Sequence, residues 1–224
     1  YLVAQLVTPS PQVTAFEVNR QAFFLYVLAQ LDADIVPDLD RLVEENRSLL
    51  DPYARALVAL AYTDLGVTDD RVDTLLNDLN DSAVVSATGS HWQDASRDFR
   101  NLNSDVRGTA IVLQTLAQLD PENPLLPGAV RWLMAARGAG SRTAQLWSTS
   151  HETAWTIFSL TEWMVASGEL DANYEYNLDV NLQAVTDGRF TTSTVTDSRN
   201  FSLPIGDLLL EDAKFFEFVR GAGD

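Results

Sequence analysis

The spacing of the apolar residues changes once along this 224-residue chain, near residue 170. Before that point apolar residues recur every three to four positions, which predicts helices, and after residue 172 they alternate with polar residues, which predicts strands. We therefore divide the chain into a helical region, 1–170, and a β segment, 171–224. The expected fold is mainly α, with a small antiparallel β segment at its C-terminal end.

Two kinds of predicted helix alternate in the first region. Alanine-rich or almost wholly apolar segments predict helices that are buried on most sides, and they alternate with shorter amphipathic segments. The buried kind spans 51–65, 104–119 and 150–166, the amphipathic kind spans 36–47, 69–80 and 125–136, and a helix with one apolar face covers 19–31 ahead of them.

This alternation favours a particular helical architecture. Short connections make neighbouring helices antiparallel, so the chain is expected to form two layers of helical hairpins, with the buried set inside. An α/α toroid, as an incomplete ring, explains the pattern better than a four-helix bundle, whose helices would be equivalent. A straight solenoid would show a fixed repeat, which this sequence lacks.

Local signals refine these bounds. Asp51 followed by Pro52 predicts a helix start with a side-chain N-cap, and Gly66 predicts the end of the same helix. Two long loops interrupt the helices, at 81–103 and 138–147, and the first contains the β-prone pieces of a short hairpin around residues 88–90.

In the β segment, residues 174–182 alternate between inward apolar and outward polar side chains. Asp187-Gly188 predicts a hairpin turn, with Phe190–Val195 as the returning strand and 214–220 as a third strand. The last four residues predict a turn. Three strands are too few to bury two faces, so this segment is expected either to pack on the helices or to lack partner strands.

Composition excludes several classes of function. The net charge of −17 argues against binding nucleic acid phosphates or anionic membranes. The absence of cysteine excludes disulfides, thiol catalysis and thiolate metal sites. No run of 18 apolar residues predicts a membrane span. The first residues carry no signal-peptide pattern, and we expect the chain to be part of something longer.

The two histidines are the first candidates for chemistry, because imidazole serves as a general base or a metal ligand. His91 lies in HWQD, where Trp92 is expected to pack and Asp94 to be able to orient the ring. His151 follows Thr149, and the spacing from Thr149 to Glu152 fits a capping box. We therefore expect Glu152 to be structural and His151 to point outward from the first turn.

Carboxylates deserve the same test, because helical toroids include enzymes that cleave glycosides with an acid and a base. The candidates are Asp94, Asp98, Asp105 and Glu152, in a chain where aspartate is common. The five tryptophans are expected to belong to the core rather than to a sugar platform, and no phosphate-binding, zinc-protease or serine-hydrolase motif occurs. We assign no catalytic, cofactor-binding or metal-binding residue.

One stretch indicates a family. Val130-Arg131-Trp132-Leu133 and, after a loop, Trp147-Ser148-Thr149-x-x-Glu152-Thr153 resemble the thioester-containing domain of the α-2-macroglobulin and complement family, especially its bacterial branch. Three upstream segments, DPYARALVALAYTDLG, HWQDA and LNSDVRGTAIVLQTLAQLDPENPLLPGAVRWL, are similar to an inner helix, a tryptophan-bearing loop and a hairpin of that domain. The likeness covers about residues 15–168 and departs from the family by one extra residue between Thr149 and Glu152.

The resemblance implies an α/α toroid inserted in a CUB-type β-sandwich, whose trailing strands would be the segment from Tyr174 onward. It implies a protease trap, which is cut by its target and then encloses it, outside the cell or in the periplasm or envelope. Its partners would be target proteases and other domains of the same polypeptide, without nucleic acid, cofactor or membrane insertion.

The family's reactive residues do not carry over. In thioester-bearing members the cysteine, its glutamine partner and the catalytic histidine lie in the first part of the domain, and neither His91 nor His151 matches that histidine. The chain is therefore expected to be a non-catalytic scaffold. The alternatives are an α/α-toroid carbohydrate-active enzyme and a plain helical interaction module.

Overall fold

The computed structural model describes residues 6, 13–31, 33–95, 97–138, 146–168, 173–181, 183–194, 200, 202 and 215–223. Within them the fold is mainly helical, with a small antiparallel β segment. The chain divides into two compact units, Tyr1–Ala166 and Ser167–Asp224.

Seven α-helices occupy the described part of the first unit. They are α1 (Ala15–Ala29), α2 (Val36–Asn46), α3 (Pro52–Asp64), α4 (Asp70–Asp81), α5 (Asp105–Leu119), α6 (Leu126–Ala136) and α7 (Ser150–Ala166). The predicted bounds are confirmed to within one or two residues for α2 to α7. Helix α1 begins earlier than predicted because Thr14 caps it: the Thr14 side chain accepts from the backbone N–H of Glu17, and Glu17 accepts from the backbone N–H of Thr14.

The odd-numbered helices form a row in chain order: α1 packs on α3, α3 on α5, and α5 on α7. The even-numbered helices form a second layer, with α2 on α1 and α3, α4 on α3, and α6 on α5 and α7. Most residues of α3 and α5 are buried, whereas α2 and α4 bury only one face. The predicted alternation of buried and amphipathic helices is confirmed for these four.

The predicted burial of α7 is wrong. Among its residues only Glu152, Thr156 and Ser159 are buried, while Phe158 is 62% exposed. Helix α7 lies at the end of the row, so within the described chain α5 covers one side of it and α6 touches it slightly. Its apolar sequence therefore does not correspond to an enclosed position.

The expected hairpin in the first long loop is confirmed as β1 (Val84–Ser86) and β2 (Gly89–His91). It leads into Trp92, which is 1% exposed and anchors the loop between two helices. The Trp92 indole N–H donates to the carbonyl oxygen of Leu79 at 2.7 Å, and its backbone N–H donates to Thr109 Oγ1 at 3.1 Å. Most of the second predicted loop, 138–147, lies outside the described residues.

The prediction that the Asp51 side chain caps α3 is wrong. Asp51 stands at the N-cap position of α3, but its side chain makes no bond to that helix. Its carboxylate accepts instead from Asn19 Nδ2 at 2.8 Å and from the backbone N–H of Ala95 at 3.0 Å. Asp51 therefore joins α1 and the loop before α5 to the start of α3. The helix stop at Gly66 is confirmed by its left-handed φ of 76°.

The second unit contains one antiparallel sheet in the order β4-β3-β5. Its strands are β3 (Tyr174–Val180), β4 (Gln183–Phe190) and β5 (Phe216–Gly223). Tyr176 and Val180 are buried, as the alternation predicted. The predicted strand over 214–220 is confirmed from residue 216, and Gly221–Gly223 continue it instead of forming a turn.

The predicted turn at Asp187-Gly188 is wrong, because β4 runs straight through both residues. Gly188 pairs with Tyr176, and a Cβ atom there would lie 2.8 Å from the tyrosine Oη, so this glycine accommodates a cross-strand ring. The chain reverses earlier, at Asn181, whose φ of 51° is a conformation that asparagine tolerates. The predicted returning strand from Phe190 is therefore also wrong, since β4 ends there and Thr191 and Thr194 bond to each other.

Candidate functional site

Three cavities of the first unit are lined by residues from the N-terminal parts of α1, α3, α5 and α7 and from the loop between β2 and α5. The odd-numbered helices all begin near this loop, so the first turns of four helices meet one irregular segment. Two of the cavities share His151 and Leu102 as wall residues.

The largest of these three is the acidic cavity, of about 660 Å³. It brings together three of the four candidate carboxylates, Asp94, Asp105 and Glu152, with His151. The fourth, Asp98, lines a separate cavity of about 360 Å³ beside Asp51. The remaining wall of the acidic cavity consists of Arg97, Phe99, Leu102, Asn103, Ser104, Ser148, Thr149 and Ser150.

Glu152 is held by the capping box that its sequence predicts. The backbone N–H of Thr149 donates to Glu152 Oε2 at 3.1 Å, and the backbone N–H of Glu152 donates to Thr149 Oγ1 at 3.1 Å. The residue is 8% exposed. One carboxylate oxygen of Glu152 therefore serves the helix start, which fixes the side chain at the edge of the cavity.

Asp94 is the electrostatically unusual carboxyl of the acidic cavity. Burial is the main cause that raises its pKa to about 7, and the charge of Asp51 raises it further, against the opposing effect of Arg107. Its Oδ2 is buried with no hydrogen-bond partner among the described residues. A carboxyl that is part protonated near neutral pH has the property that a general acid requires.

His151 does not point outward as predicted. Its Nε2 accepts a hydrogen bond from the indole N–H of Trp155 at 3.3 Å, and the ring is partly buried. Burial and the charge of Arg107 lower the pKa of His151, in that order of importance, so the neutral imidazole is favoured. The histidine therefore contributes a neutral ring to the wall between two cavities.

His91 takes no part in this site. Its ring stacks on Trp132, with centroids 4.6 Å apart and planes 3° from parallel. The suggested orientation by Asp94 is wrong, because His91 Nδ1 is buried without a hydrogen-bond partner among the described residues. The expected packing of the neighbouring Trp92 is confirmed.

Arg107 is the residue that sequence analysis missed. It lies in the first turn of α5, is 3% exposed, and places its guanidinium carbon 4.4 Å from the centre of the Tyr53 ring. Burial lowers the pKa of Arg107 and raises that of Tyr53, each as its largest cause. An arginine inside an otherwise apolar helix was the available signal, but nothing in the sequence showed that the arginine turns inward.

The residues that carry the family resemblance mostly stabilise helix ends and the core. The indole N–H of Trp147 donates to the carbonyl oxygen of Leu133 at 2.9 Å, which ties the segment before α7 to α6. Trp147 is buried, and Trp132, Trp155 and Trp163 are partly buried against the core. The expectation that the tryptophans belong to the core is therefore confirmed for all five, Trp92 included.

The described residues include no group of three or more histidine, cysteine, aspartate or glutamate side chains placed to hold a metal ion. Within that same part of the chain, no helix is long and apolar enough to cross a bilayer. No protein-family model matches the sequence, and no curated protein matches it either.

Proposed function

We propose that this chain is a non-catalytic scaffold from a bacterial protease inhibitor of the α-2-macroglobulin type, a broad-spectrum protease trap. The observation that carries the proposal is the ordered row of α1, α3, α5 and α7 with α2, α4 and α6 layered against it. One arc of an α/α toroid, the architecture that the resemblance implies, would have such a row. The reactive thioester residues of such an inhibitor would not belong to this chain.

The surface of α7 supports an arc that continues. Every residue of α7 that is exposed is apolar or neutral: Ser150, Ala154, Ile157, Phe158, Thr161, Val165 and Ala166. An exposed apolar helix face of this kind marks an interaction surface. In a closed ring, the first hairpins of the toroid would pack against this last helix, so the proposal assigns the α7 face to them.

The two segments that carry the family resemblance, 130–133 and 147–153, have contacts that support a structural function. Thr149 and Glu152 bond to each other's backbone, and Trp147 bonds to Leu133. These contacts fix the angle at which α7 leaves the loop after α6. A scaffold needs that angle and needs no chemistry from these side chains.

The second unit supports a fragment of a larger β structure. Its sheet has three strands and leaves Phe216 and Phe218, which share one face of β5, exposed. Sheets with one exposed apolar face normally bury it against another layer. In the proposed parent these strands would be the trailing part of a CUB-like sandwich, and the parent would act outside the cell or in the envelope on target proteases.

A second candidate, a carbohydrate-active enzyme, is favoured by one observation: Asp94, Asp105, Glu152 and His151 line the same cavity. The raised pKa of Asp94 suits a general acid. Against it, one oxygen of Glu152 already serves the capping box. We rank this candidate second because Glu152 is committed to a structural contact at the start of its own helix.

The proposal is tested with the full-length protein that contains this chain. The protein is incubated with a broad-specificity protease, and cleavage of a short chromogenic peptide and of a large protein substrate is measured. An enclosed protease keeps the first activity and loses the second. Retention of both activities contradicts the proposal, and this chain alone, which cannot enclose a protease, is the control that should leave both unchanged.

A further inference from the structure

A second cavity of the first unit has the opposite charge to the acidic one. This arginine cavity, of about 240 Å³, is lined by Arg20, Arg100 and Arg107. Its other described wall residues are Asn19, Phe23, Phe24, Tyr53, Asn101, Leu102 and His151, so none of the described wall residues is a carboxylate. Three arginines around one cavity are notable in a chain with a net charge of −17.

Arg107 supplies the unsatisfied donors of this cavity. Its Nε and Nη1 are buried and have no hydrogen-bond partner among the described residues. The Tyr53 ring lies beside the guanidinium and the Tyr53 side chain is hydrogen-bonded to Arg107. The acid whose charge acts on Arg107 is Asp94, which is part protonated near neutral pH. Buried donors left unpaired cost free energy, and a buried cation costs more. A bound anion would remove both costs.

The other two arginines are positioned by one aromatic ring. The guanidinium carbon of Arg20 lies 5.0 Å from the centre of the Phe16 ring, and that of Arg100 lies 5.3 Å from it. The loop that carries Arg100 is tied to α1 because Asn101 Nδ2 donates to the carbonyl oxygen of Phe16 at 3.0 Å. Asp98, the nearest acid in that loop, is engaged by the backbone N–H of Arg100 and by Asn101.

Part of the remaining wall of the arginine cavity is apolar or aromatic. Phe23, Phe24 and Leu102 line it together with the Tyr53 ring. Leu102 has a left-handed φ of 53°, a costly conformation for leucine that is found at ligand sites more often than elsewhere. Inorganic anions gain nothing from such walls, whereas an apolar body attached to an anionic head gains from being buried there.

We propose that the arginine cavity binds a small organic carboxylate with an apolar body. The planar guanidinium fork of arginine matches a carboxylate with two parallel hydrogen bonds. Arg107 would contact the head group from inside the cavity, Arg20 and Arg100 would hold it at the mouth, and the phenylalanine side would receive the apolar part. The same chemistry occurs in a free acid and at the C-terminus of a peptide that ends in an apolar residue.

This inference does not depend on the protease-trap proposal, since it concerns one cavity of the isolated chain. Calorimetric titration of this chain with phenylacetate tests it, with phenylacetamide as the neutral isostere and sulfate as the bare anion. Titration with Gly-Phe and with its C-terminal amide forms a second arm. Tighter binding of phenylacetate assigns the cavity to free acids, and tighter binding of Gly-Phe assigns it to chain ends.

The expected result is binding of at least one carboxylate, with little or no binding of its neutral counterpart. Arg100→Gln and Arg107→Met should each weaken that binding about tenfold or more, because each removes a charge-assisted contact. Arg131→Gln is the matched control: Arg131 is exposed on α6 outside the cavity walls, and its replacement should leave the affinity unchanged. Arg100 is exposed, so its variant keeps the test valid if the Arg107 variant does not fold.

Three outcomes overturn the inference. The first is that neither carboxylate binds. The second is that phenylacetamide or the peptide amide binds as well as the acid, or that sulfate competes equally with it. The third is that binding is the same in Arg100→Gln as in the unchanged chain.

Discussion

Gly89 and Gly128 are in direct contact where the β1–β2 hairpin meets α6. A Cβ atom on Gly89 would lie 2.2 Å from the carbonyl oxygen of Gly128, and one on Gly128 would lie 2.4 Å from Ser90 Oγ. Neither position has room for a side chain. This contact holds the hairpin against α6 and places the stack of His91 on Trp132.

Gly128→Ala is expected to destabilise the chain by about 1–3 kcal/mol, the usual cost of forcing a methyl group into a packed contact. Gly108→Ala is the matched control. A Cβ atom at Gly108 in α5 would meet nothing closer than Asp94 Oδ1 at 3.7 Å, so alanine should stabilise the helix by up to about 1 kcal/mol. Urea unfolding of both variants measures the difference, and equal effects would show that the hairpin contact is not tight.

The pKa of Asp94 predicts a pH dependence of stability. The folded carboxyl keeps its proton up to about pH 7, whereas its ordinary pKa is 3.8, so between these values the folded state binds more protons than the unfolded state. The contribution of the Asp94 carboxyl to the free energy of unfolding is therefore fully present at low pH, and it is lost as the pH rises from about 4 to about 7. One pKa unit corresponds to about 1.4 kcal/mol, so the loss is at most about 4 kcal/mol.

Asp94→Asn should remove this dependence, because a neutral amide does not titrate. The variant is expected to match the unchanged chain near pH 4 and to exceed its free energy of unfolding at pH 8. Glu122→Gln, at an exposed loop position, is the control and should follow the unchanged chain at both values. Denaturant titrations across this pH range give the measurement, and parallel curves for Asp94→Asn and the unchanged chain would contradict the assigned pKa.

The capping box of α7 separates the scaffold from the enzyme alternative. Thr149→Ala should cost about 1 kcal/mol, since it removes the acceptor for the Glu152 N–H. Glu152→Gln keeps an oxygen for the Thr149 N–H and should cost less. Thermal unfolding checks both values. If the chain hydrolyses any member of a panel of oligosaccharides and Glu152→Gln abolishes that activity, the carboxylate is catalytic and the scaffold account is wrong.

Sequence periodicity predicted the helices well because burial and period are coupled in a layered helical fold. Helices α3 and α5 are apolar on nearly all sides and are enclosed on nearly all sides. Helix α7 is apolar in the same way and is exposed, because sequence records which surfaces are suited to burial and not whether a partner is present. The Asp187-Gly188 error has a related cause: the usual turn dipeptide serves here to make room for the Tyr176 ring, a cross-strand contact that local pattern does not encode.

The candidate site was predictable only in part. The capping box of Thr149 and Glu152 follows from local spacing. The sequence also identified four candidate acids, but it did not show which of them lie in the same cavity. The grouping of Asp94, Asp105 and Glu152 depends on the helices that begin beside one loop, and the arginine cavity depends on Arg107 turning inward under Tyr53. Contacts between residues so far apart in the chain are set by tertiary packing.

The central claim is that the helices form one arc of a ring whose other hairpins cover α7. Phe158→Cys tests it most directly: the chain has no cysteine, and Phe158 is 62% exposed, so a maleimide should label this site rapidly in the chain alone. Asn77→Cys, exposed on the outer-layer helix α4, is the control. Labelling is then compared in a longer polypeptide that also carries the other hairpins of the proposed ring, with the labelled peptide located by mass spectrometry.

The account predicts that in the longer polypeptide the labelling rate at position 158 falls by about tenfold or more, because the site would be exposed only in a minor open state. The labelling rate at position 77 should stay the same. Equal labelling of position 158 in both contexts would contradict the ring.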